Sequence, residues 1–136
     1  MGRDSNADFS PHLPVMLNLR GRRCVVVGGG AVAARRAASL VACGAQVVVV
    51  APAMDEKLDT LLIERAERGY ASGDLDGAFL VVIATDQPEV NQQVTADAAE
   101  ERVLINRADE AIPAPAPGSE TRRDPRMGGD FTVMAH

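Results

Sequence analysis

The chain has 136 residues, enough for one domain with a sizeable core, and its aromatic content of 3% without tryptophan leaves that core to valine, leucine, isoleucine and alanine. A formal net charge of −5 at pH 7 argues against general nucleic-acid binding. No apolar run approaches the roughly 18 residues of a membrane-spanning helix, and the first residues are polar, unlike a secretory leader.

The two cysteines, Cys24 and Cys43, are not arranged as CxxC. They are expected to be buried, reduced thiols of a cytoplasmic protein. No cluster of His, Cys, Asp and Glu has metal-ligand spacing, so we expect no preformed metal site. We also expect neither a nucleic acid nor a membrane as a partner.

Residues 1–12 are polar and expected to be flexible. An apolar lead-in follows at residues 13–19, and Arg20-Gly21-Arg22 is expected to turn the chain into its first strand. We expect residues 13–109 to form a single domain.

Residues 23–50 carry the pattern on which the rest of the chain depends. A valine-rich run ends at Gly28, a stretch of small residues with helical character follows, and a second valine run ends at Val50. A strand, a turn, a helix and a strand within about 30 residues make one βαβ unit, and near-continuous valine is typical of parallel strands covered on both faces. The sequence therefore predicts an α/β fold, a single domain with a Rossmann-like doubly wound parallel sheet.

The glycine turn of this unit has the spacing of a dinucleotide-binding site. Gly28 allows the tight turn, Gly30 lets the backbone approach a pyrophosphate, and Ala33 provides the small side chain that lets helix pack on strand. The amides at the helix N-terminus attract phosphate. The candidate cofactor-binding residues here are Gly28, Gly29, Gly30, Ala31, Val32 and Ala33. The alternative is a glycine-rich turn in an α/β protein that binds no nucleotide.

One part of the dinucleotide fingerprint is missing. An Asp or Glu usually ends the second strand and holds the adenosine ribose, whereas here that strand runs into Ala51-Pro52 and the first acid, Asp55, lies beyond the proline. No Arg stands there for a 2′-phosphate. Backbone groups at Ala51 and Pro52 are therefore expected to hold the ribose, and NAD is favoured over NADP as the cofactor.

The first helix is expected from Ala31 to about Cys43, with Gly44 at its C-terminal end. Its sheet-facing residues are predicted to be Val32, Ala37, Leu40 and Val41, with Arg35 and Arg36 in solvent. A second helix is expected over residues 54–62. Residues 61–70 fit either a continuation of that helix or the third strand, and we favour a strand over part of them because the fold needs one there.

Residues 78–84 are a clear strand that ends at Thr85-Asp86, after a turn at residues 74–77. Carboxyl ends of strands face the ligand in a doubly wound sheet, so Thr85 and Asp86 are candidates for cofactor contact. Asp86 could instead cap the next helix, which is expected to start at Pro88, end near Glu101 and bury Val90, Val94 and Ala98.

The last strand of the domain is expected at residues 103–106, bringing Arg107-Ala108-Asp109 to the same edge of the sheet. Residues 110–129 are rich in proline and arginine and read as an exposed loop or linker. Its arginines, Arg122, Arg123 and Arg126, are candidate clamps for an acidic substrate together with Arg107, and the alternative for these three is a solvated charged loop. Residues 130–136 start a further strand.

Taken together, these residues resemble the N-terminal, NAD-binding part of the precorrin-2 dehydrogenase and sirohydrochlorin ferrochelatase family, which includes the front module of siroheme synthase. The resemblance covers residues 12–109 and the last few residues. The matching segments are Leu13-Pro14, Leu19 to Arg22, Val25 to Arg35, Val48 to Pro52, Gly73 to Phe79, Ala84 to Asp86 with Asn91, Asn106 to Asp109, and Asp130-Phe131.

The resemblance implies NAD-dependent oxidation of precorrin-2 to sirohydrochlorin, a tetrapyrrole substrate, and a homodimer in the full-length protein. Some members also insert Fe²⁺. The family's aspartate in the pattern Asn-x-x-Asp corresponds to Asp109, with Asn106 beside the cofactor. A carboxylate next to the nicotinamide can act as the general base when the macrocycle loses a hydride and a proton. The alternative for Asp109 is a turn carboxylate with no catalytic role.

Two departures from the family pattern leave other readings open. The family reaches Asp-Phe a few residues after its aspartate, whereas here residues 110–129 intervene, and Asp124-Pro125 is a rival match to part of the motif. The family also continues beyond Phe131 into a dimerisation region and a helical segment. The chain could therefore be a fragment, a decayed copy, a protein completed by a partner, or a non-catalytic NAD-binding module.

Overall fold

A computed structural model of the protein describes residues 11–108. Its elements are β1 (Arg23–Val27), α1 (Ala31–Ala42), β2 (Gln46–Val50), a 3-10 helix (Glu56–Thr60), β3 (Glu64–Ala66), β4 (Leu80–Ile83), α2 (Pro88–Glu101) and β5 (Leu104–Arg107). The five strands form one sheet in the order β3-β2-β1-β4-β5, and every pairing is parallel. This architecture confirms the predicted Rossmann-like α/β fold.

The valine-rich strands are buried on both faces of the sheet, as their composition predicted. Successive strand residues point to opposite faces, so each strand contributes to two cores. The core on the α1 side contains Cys24, Val26, Val47, Val49, Leu80 and Val82 with Leu40 of the helix. The core on the α2 side contains Val25, Val27, Val48, Val50, Val81 and Ile83 with Val94 and Ala98 of the helix. One helix on each face makes the sheet doubly wound.

Helix α1 packs through Ala33, Ala37 and Leu40, which are fully buried and lie on one face at helical spacing. The prediction that Val32 faces the sheet is wrong, because Val32 is 40% exposed. It lies next to Ala33 along the helix, about 100° away around the axis, and so points out of the interface. Gly44 follows the helix with a φ of +81°, consistent with the expected termination.

The segment between β2 and β3 is less helical than predicted. The expected helix over residues 54–62 is a 3-10 helix, Glu56–Thr60, anchored by the buried Leu58. Within residues 61–70 the favoured strand is confirmed, since Glu64–Ala66 pairs with β2.

The connection from β3 to β4 is a loop held by a side-chain ion pair within it and by contacts to α2 and the core. The Arg68 guanidinium donates to both carboxylate oxygens of Asp74, at 2.9 and 2.7 Å. The Tyr70 hydroxyl donates to Asp97 of α2 at 2.7 Å. Leu75, in the predicted turn at residues 74–77, is buried in the core beside α2. These contacts hold the crossover against the sheet without a helix of its own.

Helix α2 starts at Pro88 and buries Val94 and Ala98, as predicted, with Val90 partly buried beside them. It ends at Glu101 as predicted, and the C-cap residue Arg102 has a φ of 58°, in the left-handed region. Strand β5 begins at Leu104 and ends at Arg107, one residue later than expected at each end.

The predicted turn before β1 is present, with the Arg22 amide donating to the Leu19 carbonyl at 2.9 Å. Cys24 is buried, whereas Cys43 is partly exposed, and neither cysteine forms a disulfide. Over residues 11–108 no helix has the length and apolar character needed to cross a membrane. The expectations for residues 1–10, the loop at 110–129 and the strand at 130–136 fall on parts of the chain outside the described residues.

Candidate functional site

The glycine turn lies where the ends of three neighbouring strands meet. The Gly28 amide donates to the Val50 carbonyl at the end of β2, with an N–O distance of 3.0 Å. Gly28 has a φ of +130°, and a Cβ at this position would overlap the carbonyl of Ala84, just after β4. Between β1 and β4 the strand order reverses, which is where doubly wound sheets bind ligands.

Gly29 and Gly30 differ in what surrounds them. A Cβ on Gly29 would overlap the carbonyl oxygen of Ala53, so the chain after β2 lies against this glycine. A Cβ on Gly30 would meet nothing within 4 Å. Gly30 therefore faces open space, and a side chain there would take up room that a ligand could use.

An open cleft of about 430 Å³ lies in front of the turn. Its walls come from the glycine turn on one side and from the segment after β2 on the other. The lining residues are Gly29, Gly30, Ala53, Met54 and Asp55.

The N-terminus of α1 has the features of an anion site. Gly30 is the N-cap and has no side chain to bond the first-turn amides, and the Ala34 amide donates to the Gly30 carbonyl at 2.9 Å. The amides of Ala31, Val32 and Ala33 precede that first helical bond. The first turn contains no acidic residue that would repel an anion. These amides and the helix dipole suit a pyrophosphate group, so the residues present fit a dinucleotide.

Ala51 and Pro52 follow β2 and differ in exposure. Ala51 is buried, and its amide donates to the Ala66 carbonyl of β3 at 3.1 Å. Pro52 is exposed. The Ala51 Cβ lies 2.9 Å from the position that a Cβ on Gly29 would take, so Ala51 packs against the glycine turn.

Thr85 and Asp86 lie in the turn between β4 and α2. The Thr85 hydroxyl oxygen accepts from the Gln87 amide at 3.1 Å, and the Thr85 carbonyl accepts from Nδ2 of the buried Asn91 at 3.0 Å. Asp86 is exposed. The alternative that Asp86 caps the helix is wrong, because the N-cap residue is Gln87 and no side-chain hydrogen bond caps α2.

Asn106 lies inside β5 rather than at its end, opposite Val82 of β4, and is 2% exposed. The Ala108 amide donates to the Ile83 carbonyl at 3.0 Å, which keeps the end of β5 aligned with the end of β4. Asp109 is the next residue in the sequence and lies outside the described residues. Over residues 11–108, no three His, Cys, Asp or Glu side chains are grouped as metal ligands.

Sequence reasoning missed Asp55 as part of the site. Its amide donates to the Gly29 carbonyl at 2.7 Å, and the residue lines the cleft. The missed signal was Pro52, which turns the chain out of the strand direction. Asp55 is therefore closer in space to the glycine turn than its separation from the end of β2 along the sequence suggests.

Comparisons with known proteins agree with this geometry. A family model described as "Putative NAD(P)-binding" matches residues 15–114. The chain is 40% identical over 134 residues to a siroheme synthase of Azotobacter vinelandii, covering 91% of this chain and 29% of that protein. It is 46% identical over 106 residues to a siroheme synthase of Chromobacterium violaceum, covering 72% of this chain and 22% of that protein.

A solved structure is also similar. The structure titled "SirC, precorrin-2 dehydrogenase" superposes with a TM-score of 0.65 at 27% identity, covering 80% of this chain and 54% of that chain. The chain thus spans less than a third of the length of the two siroheme synthases and about half of the solved dehydrogenase. These similarities support the predicted use of a nicotinamide dinucleotide. The family match covers most of the chain, and the protein therefore belongs to this NAD(P)-binding family, which also forms the N-terminal part of siroheme synthases.

Proposed function

We propose that the chain carries out the NAD-dependent oxidation of precorrin-2 to sirohydrochlorin, either alone or as the dinucleotide-binding part of a larger assembly. The observation that carries this proposal is the open face of Gly30 beside the uncapped N-terminus of α1. That arrangement suits the pyrophosphate of a dinucleotide. The substrate class comes from the similarity to siroheme synthases and to a precorrin-2 dehydrogenase.

In this proposal the cofactor lies across the carboxyl ends of β1, β2 and β4. The first-turn amides of α1 hold the pyrophosphate, and Gly30 leaves room for it. Thr85 and Asp86 face the cofactor from the end of β4, where Asn91 keeps the Thr85 carbonyl in place. The residues proposed to bind the cofactor, either by direct contact or by supporting those contacts, are Gly28, Gly29, Gly30, Ala31, Val32, Ala33, Ala51, Pro52, Thr85, Asp86 and Asn106.

Among these residues, Asn106 is proposed to act on the cofactor indirectly. It is almost fully buried within β5, so we propose that it supports the sheet edge behind the cofactor. Ala51 acts in the same way, because it packs against the glycine turn from the protein interior.

The reaction removes two hydrogens from the macrocycle, one as a hydride and one as a proton. Bound NAD supplies the hydride acceptor. A carboxylate at the same edge of the sheet can take the proton as a general base. We propose Asp109 for this role because it matches the aspartate of the family pattern Asn-x-x-Asp. In the sequence it follows Ala108, the first residue after β5.

Further parts of the proposal come from the family resemblance. In this proposal the substrate is a tetrapyrrole, the protein is cytoplasmic and, if full-length, a homodimer, and insertion of Fe²⁺ into the product is a second activity of some relatives. The dehydrogenase step comes first in the test, because its cofactor site is formed by residues that the structure describes.

The experiment combines binding and turnover on the whole chain. Calorimetric titration measures NAD affinity, and the absorbance of NADH follows turnover with precorrin-2. We expect NAD binding with NADH formation in the wild type, and NAD binding without NADH formation in Asp109→Asn. Glu100→Gln removes an equal charge from an exposed site on α2 and is expected to keep full turnover.

The outcomes separate the candidate functions. NAD binding without turnover in the wild type would contradict a self-sufficient dehydrogenase and leave a binding module or one part of a larger enzyme. Equal turnover in Asp109→Asn and the wild type would contradict the role of Asp109. Failure of the folded chain to bind NAD would contradict the whole proposal.

A further inference from the structure

The structure brings an acidic residue to the place where the sequence lacked one. In doubly wound dinucleotide-binding folds, an Asp or Glu near the end of the second strand holds the adenosine ribose. Here β2 ends at Val50 and continues as Ala51-Pro52. The chain then turns back, so that the Ala53 carbonyl lies against Gly29 and the Asp55 amide donates to the Gly29 carbonyl at 2.7 Å. Asp55 is therefore beside the glycine turn despite its distance along the chain.

Asp55 is also held in a defined position. Its Oδ1 accepts from the Lys57 amide at 2.8 Å, which makes Asp55 the N-cap of the 3-10 helix. That helix is anchored in the core by Leu58, which is fully buried. Asp55 itself is half-buried and lines the cleft. The backbone bond to Gly29 and the side-chain bond to Lys57 together limit where the carboxylate can go.

The charge of the cleft wall depends on this residue. Among the described residues that line the cleft, Asp55 is the one with a charged side chain, and the others are glycine, alanine and methionine. A carboxylate accepts hydrogen bonds from ribose hydroxyls. It repels a 2′-phosphate, which carries between one and two negative charges at neutral pH.

We infer that Asp55 is the specificity determinant of this site, accepting hydrogen bonds from the adenosine ribose of NAD and excluding the 2′-phosphate of NADP. The inference rests on the proposed function, because it requires a dinucleotide in the cleft. It replaces the expectation from sequence that backbone groups alone hold the ribose.

The test measures two affinities in three proteins. NAD and NADP are titrated separately by calorimetry into the wild type, Asp55→Asn and Glu56→Gln. Asparagine keeps the size of the side chain and the acceptor for the Lys57 amide, so the cap survives while the charge is lost. Glu56 is the adjacent exposed acid, and its substitution removes the same charge without altering a residue that lines the cleft.

We expect the wild type to bind NAD more tightly than NADP. In Asp55→Asn the ratio of the NADP Kd to the NAD Kd should fall about tenfold or more, in line with loss of a hydrogen bond to a charged group. In Glu56→Gln that ratio should stay as in the wild type. Asp55→Ser, which also keeps a capping oxygen, should behave like Asp55→Asn and guards against an effect peculiar to one variant.

The failures are distinguishable. If both dinucleotides bind and the ratio is the same in Asp55→Asn and the wild type, the inference is wrong while the proposed function stands. An equal shift in Glu56→Gln would show a general effect of net charge and would also overturn it. If the folded wild type binds neither dinucleotide, the proposed function fails and the inference fails with it.

Discussion

The Cα of Gly28 lies so close to the carbonyl of Ala84 that any side chain at position 28 would overlap that oxygen. This contact joins the turn after β1 to the segment after β4, the two strands between which the strand order reverses. The Gly28 amide also bonds the Val50 carbonyl of β2 at 3.0 Å. One glycine thus sets the relative positions of three strand ends, and the cleft in front of the glycine turn is built on that arrangement.

Gly28→Ala should destabilise the fold. The residue has a φ of +130°, which L side chains rarely adopt, and the new Cβ would collide with backbone. We expect the free energy of unfolding to fall by about 3 kcal/mol, measured by urea denaturation. Gly69→Ala is the control, since a Cβ at Gly69 would meet nothing within 4 Å. A Gly28→Ala protein as stable as the Gly69→Ala protein would contradict the packing described.

Gly30→Ala should affect binding far more than stability. The new Cβ meets no protein atom within 4 Å, so the loss of stability should stay below about 1 kcal/mol, the cost of alanine at an N-cap. The methyl group would occupy the space in front of the α1 amides. We expect the NAD Kd measured by calorimetry to rise about tenfold. An unchanged Kd would show that the pyrophosphate does not approach this glycine.

Asn91→Leu should destabilise the turn that follows β4. The substitution keeps the size of the side chain but leaves the partly buried Thr85 carbonyl without the Asn91 donor. We expect a loss of about 1 to 3 kcal/mol in the free energy of unfolding. Gln92→Leu changes an exposed neighbour on the same helix and should alter stability by less than about 0.5 kcal/mol. Equal stabilities of the two variants would exclude a structural role for the amide.

The Cys24 thiol should make the fold less stable at alkaline pH. Burial first, and the nearby Cys43 second, raise the pKa of Cys24 from 9.0 to about 11. Between these values the unfolded chain loses the proton that the folded chain keeps, so unfolding becomes more favourable as the pH rises. We expect a loss of up to about 2 kcal/mol across this interval, which Cys24→Ala should abolish.

Tyr70 also contributes to the loss of stability at alkaline pH, but equally in the wild type and in Cys24→Ala. Burial and the hydrogen bond to Asp97 raise the pKa of Tyr70 above its ordinary value of 10.0, so it contributes with the same sign in both proteins. The difference between the wild type and Cys24→Ala therefore isolates the thiol. Identical dependence on pH in the two proteins would mean that Cys24 is accessible to water.

The Asp74 carboxylate should make the fold sensitive to acid. The hydrogen bond from Arg68 is the main cause that lowers the pKa of Asp74 below 3.8, with a second bond from the Ala71 amide. Because the pKa of Asp74 is lower in the folded state, the ionised carboxylate stabilises the fold at any pH above the pKa of the unfolded chain. This contribution is lost as the pH falls through the pKa of the folded state. Asp74→Asn should therefore be less stable than the wild type at neutral pH and converge with it in acid. Asp76→Asn, an equal charge change in the same loop, is the control for a general effect of net charge.

The sequence by itself determined the class of fold and the place of the glycine turn between the first strand and the first helix. A run such as Val47 to Val50 is typical of a parallel strand whose two faces are both covered by helices. The spacing of Gly28, Gly30 and Ala33 indicates a tight turn followed by the start of a helix that packs closely on the strand. These signals are local: each depends on residues within one strand-turn-helix unit. For that reason they could be interpreted without knowing what lies next to the unit.

Only the tertiary structure decided which residues share the cleft. Asp55 is far from Gly29 along the chain, and their contact depends on how Pro52 and Ala53 turn the backbone after β2. The sequence places Val32 on the sheet-facing side of α1, but the rotation of the helix leaves it exposed, while Asn106 is buried within β5 rather than at its end. The solvent exposure of a side chain depends on how whole helices and strands pack against each other. The pattern of apolar and polar residues within one segment does not determine that packing.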